Sequence, residues 1–367
     1  MLEKMKVLLI SPQHWGTMRV TKHHYAVELA RLGHEVYFLE PTDASWQWNS
    51  SSFELKPSDA QGVTLVRQKI NVPYNLKFHA KGIFDSFIKR HIDKLEKQLG
   101  PFDLVWSFDL TNTMPLKYFS IKSKKIFFAA DWPQVTDSVK AAEGANLLIS
   151  VAQEILDQYG AHYRKLLLSH GVADCFIVAG KQAYLKTDEQ FRIGMSGNFL
   201  RPDLDWPVLT DIITSYPNIL FECFGSYELK NSNLGGADNQ ETSKFIQILK
   251  EAPNVNLHGM VSPEKLAIEL RRMDAFLICY DVEKDQSKGT NYHKVAEYLA
   301  FGKPVFSNYI SAYDFVGSGI TMVPSKIKGN SKLKNLLEIF FINNVNNSFK
   351  NQIFSYKDNL KVILEFL

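Results

Sequence analysis

The stretch "KVLLISPQHWGTMRVTKHHYAVELARLGHEVYFLE", residues 6–40, decides the fold. It opens on an apolar run, crosses a polar loop containing Gly16, and enters a helical pattern with Tyr25, Ala26, Leu29, Ala30 and Leu32 on one face. It then stops at Gly33 before a second apolar run. Near-continuous apolar runs of this length are expected of parallel strands buried on both faces, and a glycine after the last periodic position ends a helix. Strand, helix, strand in that order is a right-handed βαβ unit.

The same alternation continues outward from this stretch. In the first half it runs through "DLVWSFD" (103–109), "KIFFAAD" (125–131) and "NLLISV" (146–151). A largely polar segment, "IVAGKQAYLKTDEQ" (177–190), resets the pattern and reads as a linker. The second half repeats it in "FRIGMSG" (191–197), "ILFECFG" (219–225), "NVNLHG" (254–259), "AFLICY" (275–280) and "KPVFSN" (303–308). The expected class is α/β, with two doubly wound Rossmann-like domains facing a cleft. Their expected bounds are 1–183 and 184–345, with 346–367 a helical segment that closes the fold.

Length and composition agree with this layout. At 367 residues the chain exceeds one ordinary core, and 45% hydrophobic with 22% charged residues is the composition of a globular protein. No apolar stretch reaches the roughly 18 residues of a spanning helix. Pro12 and Gln13 interrupt the first run before it resembles a signal sequence, so a cytoplasmic location is expected. A net charge of +3 argues against a nucleic-acid partner. Cys175, Cys223 and Cys279 form no CxxC pair and are expected as buried thiols, with no metal. One segment, "KGIFDSFIKRHIDKLEKQLG" (81–100), sets Lys81, Lys89, Arg90, Lys94 and Lys97 opposite Ile83, Phe84, Phe87, Ile88, Ile92 and Leu95. Its basic face is either plainly solvated or a contact for an anionic membrane surface, which would place the protein peripherally at an inner membrane face.

In open α/β sheets, ligands bind beyond the carboxyl ends of the strands. There the loop "GMSGNFLRPDLDW" (194–206) offers Gly194, Ser196, Gly197 and Asn198, small or short residues that let backbone N–H groups approach an anion, followed by a helix N-terminus. A turn that simply needs glycine is the plainer reading. Asp203 and Asp205, a DxD, read as helix-capping residues rather than a metal site. The chain has no GxGxxG and no GxxxxGK[ST], so neither a nicotinamide dinucleotide nor a Walker-type site is expected.

The stretch "NYHKVAEYLAFGKPV" (291–305) sets Lys294 and Glu297 one helical turn apart. They form either a surface ion pair or a clamp in which the ammonium holds phosphate oxygens and the carboxylate accepts two hydroxyls, as a ribose diphosphate requires.

"KVAEYLAFGKPV", with "IGMSGN" and "SHGVADCF", resembles the GT-B glycosyltransferases, near family 4 and the bacterial polysaccharide and teichuronic-acid transferases. The resemblance implies that Glu297 holds the nucleotide ribose and Lys294 the diphosphate. It also implies that Gly197 and Asn198 pack on the phosphates and that Arg201 adds charge. Tyr280 and Asn291 complete the expected donor set. The family-4 pattern carries two glutamates, and where the first belongs, eight positions before Glu297, stands Gly289. Retention or inversion of configuration is therefore left open.

Asp109 and Asp131 end two strands of the first half and are the candidate bases for an acceptor hydroxyl, although strand-end aspartates also organise turns. His14, Arg19 and Trp132 are the candidate acceptor contacts. His23 and His24, adjacent on a helix, are expected not to point inward together.

The expected activity is a hexosyl transfer, independent of metal and of any cofactor. A sugar passes from a nucleotide diphosphate sugar to a saccharide or lipid-linked acceptor in surface polysaccharide synthesis. A nucleotide-sugar epimerase of the same fold and a non-catalytic nucleotide-sugar-binding protein are the alternatives.

Overall fold

The computed structural model describes residues 3–42, 52–70, 72–73, 75–134, 136–184, 186, 189–232, 236–315, 317–324, 332–343 and 353–367. It divides into two compact units, 1–15 with 21–169 and 359–367, and 16–20 with 170–358.

Unit 1 carries strands β1 (Lys6–Ile10), β2 (Glu35–Leu39), β3 (Ser52–Pro57), β4 (Val63–Lys69), β5 (Leu104–Ser107), β6 (Lys124–Ala129), β7 (Leu147–Ser150) and β8 (Lys165–Leu167). They form one sheet in the order β3-β4-β2-β1-β5-β6-β7-β8, parallel throughout except for the β3–β4 hairpin. The helices are α1 (Thr21–Arg31), α2 (Leu76–His79), α3 (Lys81–Leu99), α4 (Thr136–Lys140) and α5 (Gln153–Leu156).

Period-two alternation sends neighbouring strand residues to opposite faces. On one face Tyr25 of α1 meets Trp106 with ring centroids 4.7 Å apart, and Phe108 stacks on Phe128 at 5.1 Å. On the other, Phe84, Ile88, Ile92 and Leu95 of α3 pack with Leu8, Ile10, Val105 and Phe127. Two helical layers thus bury both faces, which explains why the strand sequences are almost wholly apolar.

Unit 2 carries β9 (Arg192–Ser196), β10 (Leu220–Phe224), β11 (Val255–Gly259), β12 (Ala275–Ile278), β13 (Val305–Ser307) and β14 (Ile320–Met322). All pairs are parallel, in the order β11-β10-β9-β12-β13-β14. Its helices are α6 (Asp174–Lys181), α7 (Trp206–Ser215), α8 (Gln240–Glu251), α9 (Pro263–Leu270), α10 (His293–Leu299) and α11 (Leu333–Asn343). The order reverses between β9 and β12, the place where open α/β sheets bind ligands. A last helix, α12 (Tyr356–Glu365), ends the chain.

All ten apolar runs are strands. Two local expectations change, at the linker and at the paired histidines. The polar segment 177–190 begins inside α6, whose Phe176 and Ala179 are buried in the unit 2 core. The closing segment is helical over Tyr356–Glu365, and its earlier part, up to residue 352, lies outside the described residues. His23 and His24 are both buried, because six consecutive residues, Thr21 to Ala26, are enclosed at the start of α1. His23 stacks on Phe38 at 5.1 Å and meets Trp15 edge-on at 5.4 Å.

On α3 only one stripe reaches the sheet. Ile83 and Phe87, expected to face inward, lie beside that stripe and are exposed, as is Phe78 of α2.

Candidate functional site

Three loops at the carboxyl edge of the unit 2 sheet build the site. After β9 the chain turns at Gly197, whose φ of +140° is glycine backbone. The Gly197 N–H donates to Phe224 O at 2.8 Å, and a Cβ on Gly225 would overlap the Gly197 carbonyl oxygen. The turns after β9 and β10 therefore lie backbone against backbone. Ser226 donates to Asn198 Oδ1 at 3.2 Å, and Asn198 Oδ1 also accepts from the Leu200 N–H at 3.0 Å.

Helix α10 brings the lysine to this turn. Lys294, 7% exposed, donates from Nζ to Ser196 O at 2.6 Å and to Tyr280 Oη at 2.7 Å. A Cβ on Gly197 would lie 2.5 Å from that Nζ, so the ammonium rests on the glycine backbone. An ammonium has three N–H donors, and two are used within the protein. Tyr298, one turn further along α10, fixes the other side of the turn, its hydroxyl accepting from Ser196 N at 2.7 Å.

Glu297 does not pair with Lys294. Among the described residues no ion pair within 4.0 Å joins them, and the Glu297 carboxyl takes part in no hydrogen bond. The surface ion-pair reading is thereby excluded. Glu297 is 4% exposed, and burial pushes its pKa up from 4.5 to about 8, with the Lys294 charge opposing. A buried carboxyl left without donors is costly to ionise unless a ligand supplies them.

Arg201 is already engaged. Its Nε donates to Asp203 Oδ1 at 2.7 Å, and one terminal nitrogen donates to Asp203 Oδ2 and, at 3.2 Å, to Asp285. Its guanidinium lies 4.9 Å from the Tyr280 ring centroid, so it supports the tyrosine that Lys294 grips. Asp203 is therefore an arginine partner. Asp205 caps α7, accepting from Val208 N at 3.4 Å. That helix start, expected to face an anion, carries its own carboxylate instead.

Asn291 is buried one residue before Tyr292, the cap residue of α10. Tyr292 stands 4.9 Å from Tyr280, ring to ring, and donates to Asp285 Oδ2 at 2.8 Å. Asp285 also accepts from the Gly289 N–H at 2.9 Å and the Ser287 hydroxyl at 2.5 Å. Gly289 has φ +66°, and a Cβ there would meet Tyr309 O at 2.8 Å. The missing glutamate thus has a local cause: the loop is folded around Asp285 in a form that admits no side chain at 289.

In unit 1, Asp109 sits in its own turn. It accepts from the N–H groups of Thr111 at 2.8 Å and Thr113 at 2.9 Å, and from the Thr111 hydroxyl. Asp131 follows β6 at the carboxyl edge, half-buried, and Trp132 packs on the unit 1 core. His14 is half-exposed, with Nδ1 3.7 Å from Glu40. Arg19 belongs to the 16–20 segment that groups with unit 2.

No protein-family model matches the sequence, and no curated protein matches it. Solved structures do. A sucrose-phosphate synthase from Thermosynechococcus elongatus superposes with a TM-score of 0.65 at 13% identity, over 92% of this chain and 90% of that one. A glycosyltransferase from Rickettsia africae gives 0.61 at 12%, over 99% and 97%. HepE of Anabaena, solved in complex with UDP-glucose, gives 0.61 at 13%, over 99% and 95%. The chain has the GT-B glycosyltransferase fold.

Within the GT-B fold the structure gathers Gly197, Arg201, Tyr280 and Lys294 around one point, with Asn198, Asn291 and Glu297 on the same loops and helix. Sequence reasoning missed Ser226, Asp285, Tyr292 and Tyr298. A strand-end Gly-Ser after "ILFECF" was a readable signal for Ser226. Asp285 carried none, because its partners come from Arg201 and from residues two, four and seven positions on.

Proposed function

We propose that the protein is a glycosyltransferase that moves a hexose from a nucleotide diphosphate sugar to a saccharide or lipid-linked acceptor in surface polysaccharide synthesis. The observation that carries this reading is the pairing on α10 of a lysine laid on a glycine turn and a buried carboxyl without donors. The first suits a diphosphate and the second a ribose diol.

Lys294, with one N–H donor left beyond its two bonds within the protein, meets the negative charge that develops on the departing diphosphate, as electrostatic stabilisation of the leaving group. Arg201, already shared between two carboxylates, shapes the Tyr280 face. Asp109 is committed to three donors of its own turn, and Asp131 is the other candidate base of unit 1. UDP is the first nucleotide to test, since HepE is solved with UDP-glucose.

A membrane-bound acceptor suits the outer surface of α2 and α3. Phe78, Ile83 and Phe87 are 73%, 56% and 41% exposed, and Lys89, Arg90, Lys94 and Lys97 are exposed on the same helix. Apolar side chains flanked by cations match an anionic lipid interface.

A thermal-shift panel of UDP, GDP, ADP and NAD tests the donor reading. A ligand that binds only the folded state raises Tm, so a nucleoside diphosphate should do so and NAD should not. Stabilisation by NAD alone contradicts it. Product analysis with UDP-glucose then separates transfer from epimerisation without acceptor and from binding without turnover.

A further inference from the structure

Ser196, the last residue of β9, and Tyr298 of α10 carry two hydroxyl hydrogens and have a single contact to share. Tyr298 Oη accepts from the Ser196 N–H at 2.7 Å and lies 2.9 Å from Ser196 Oγ. Among the described residues the tyrosine hydroxyl has no other hydrogen-bond partner. Each hydroxyl brings one O–H, and only one of the two can point along the line between the oxygens. Tyr298 is wholly buried, its ring stacked on Phe276 at 4.3 Å, whereas Ser196 is 8% exposed at the carboxyl edge of the sheet. A buried O–H without an acceptor is costly, so Tyr298 donates to Ser196 Oγ. The Ser196 hydrogen is then left over, and among the described residues no acceptor takes it.

Most of the amides around it are spent. The N–H groups of Ser196, Gly197, Phe199, Leu200 and Arg201 all donate within the protein, so none of these five is offered to an anion. Two donors remain at Ser196 itself. Lys294 Nζ rests on the Ser196 carbonyl oxygen at 2.6 Å and, with its second bond to Tyr280, has one N–H to spare. The Ser196 O–H belongs to the same residue. An ammonium and a hydroxyl donor together at one strand end suit an oxyanion.

We infer that the Ser196 hydroxyl donates to a phosphate oxygen of the nucleoside diphosphate, beside the Lys294 ammonium. This rests on the donor reading above and adds a binding group to it. Lys294 supplies charge, which acts as a point, and Ser196 supplies a donor with one direction. Tyr298 is the positioning residue: by filling the serine oxygen from the core side, it turns the serine O–H towards the ligand. A chain from Tyr298 through Ser196 to the phosphate polarises along its length.

Titration calorimetry of UDP and of uridine into the whole chain tests this, with GDP and guanosine in their place where GDP is the diphosphate that binds. Ser196→Ala should weaken UDP binding roughly 10-fold, the scale of a hydrogen bond to a charged group, and leave uridine binding within about twofold. Ser196→Thr keeps a hydroxyl, and Ser196→Val has nearly the same shape without one; a strand accommodates either. The Ser196→Thr variant should bind UDP roughly 10-fold more tightly than the Ser196→Val variant, and this pair carries the test if Ser196→Ala does not melt cooperatively.

A purely structural serine, present only to satisfy Tyr298, is distinguished in the Tyr298→Phe background. There Ser196→Ala should cost a further loss of roughly 10-fold in UDP affinity, because the partner of the hydroxyl is the ligand. No further loss in that background overturns the inference, as does a folded Ser196→Ala variant that binds UDP like wild type. If Lys294→Ala loses UDP affinity while Ser196→Ala keeps it, this inference fails and the donor reading stands. Wild type that binds no nucleoside diphosphate of the panel overturns the donor reading, and this inference with it.

Discussion

A carboxyl that is almost fully buried and accepts no hydrogen bond holds its proton more tightly than free glutamate does. For Glu297 the folded pKa of about 8 lies above its ordinary 4.5. The folded chain therefore binds one more proton than the unfolded chain between these values, and stability falls as pH rises through that window. The slope from this group alone is about 1.4 kcal/mol per pH unit. Glu297→Gln keeps the shape of the neutral form and removes the titration. Its Tm should match wild type near the acid end and exceed it above about pH 8. Urea unfolding at several pH values checks this, and parallel curves for the two proteins would count against it. Because ribose hydroxyls stabilise the ionised form, nucleotide binding should release a proton below about pH 8, which calorimetry in buffers of different ionisation heat reads directly.

Gly289 is the second residue whose setting matters. Restoring the glutamate of the related pattern places a Cβ on backbone at φ +66° and against Tyr309 O. Gly289→Glu should therefore destabilise by about 1–3 kcal/mol and lower Tm without conferring activity. A variant of unchanged stability would show that the loop can adapt.

At the scale of elements, what the sequence revealed depended on pattern strength. Ten strands announced themselves as apolar runs, most of them buried on both faces, though β11 is only half-covered. β3 did not, since its residues are largely exposed at a sheet edge, and β8 and β14 are three residues long. β4 has only Val63, Leu65 and Val66 as apolar residues and ends in Arg67, Gln68 and Lys69, which reads as neither a buried run nor a helix. The helical period of α3 was legible, but which apolar residues would lie beyond the buried stripe was not, because that depends on where the sheet meets the helix. The exposed set gives an element-scale prediction. Phe78→Ser with Phe87→Ser should leave Tm nearly unchanged and reduce sedimentation with vesicles of phosphatidylserine and phosphatidylcholine by several-fold. Equal sedimentation of variant and wild type, or none by either, would remove the membrane reading.

Across the whole molecule, fold and candidate donor site were legible for different reasons. Doubly wound topology follows from alternation repeated over both halves, so it survives at sequence identities near 13% to solved relatives. Lys294, Glu297 and Gly197 were legible because they lie in one helix and one turn. Their partners Ser226, Asp285 and Tyr298 were not, because distant segments bring them together.

The central claim is that unit 2 holds a nucleoside diphosphate through Lys294, and titration calorimetry of UDP and of uridine into wild type and Lys294→Ala tests it most directly. Removing the ammonium leaves Ser196 O and Tyr280 Oη without that donor, at a cost of about 1–3 kcal/mol in stability, so Tm is measured alongside. The account predicts a folded variant whose UDP affinity falls roughly 10- to 100-fold while uridine binding stays the same. A folded Lys294→Ala variant that binds UDP as tightly as wild type would contradict it.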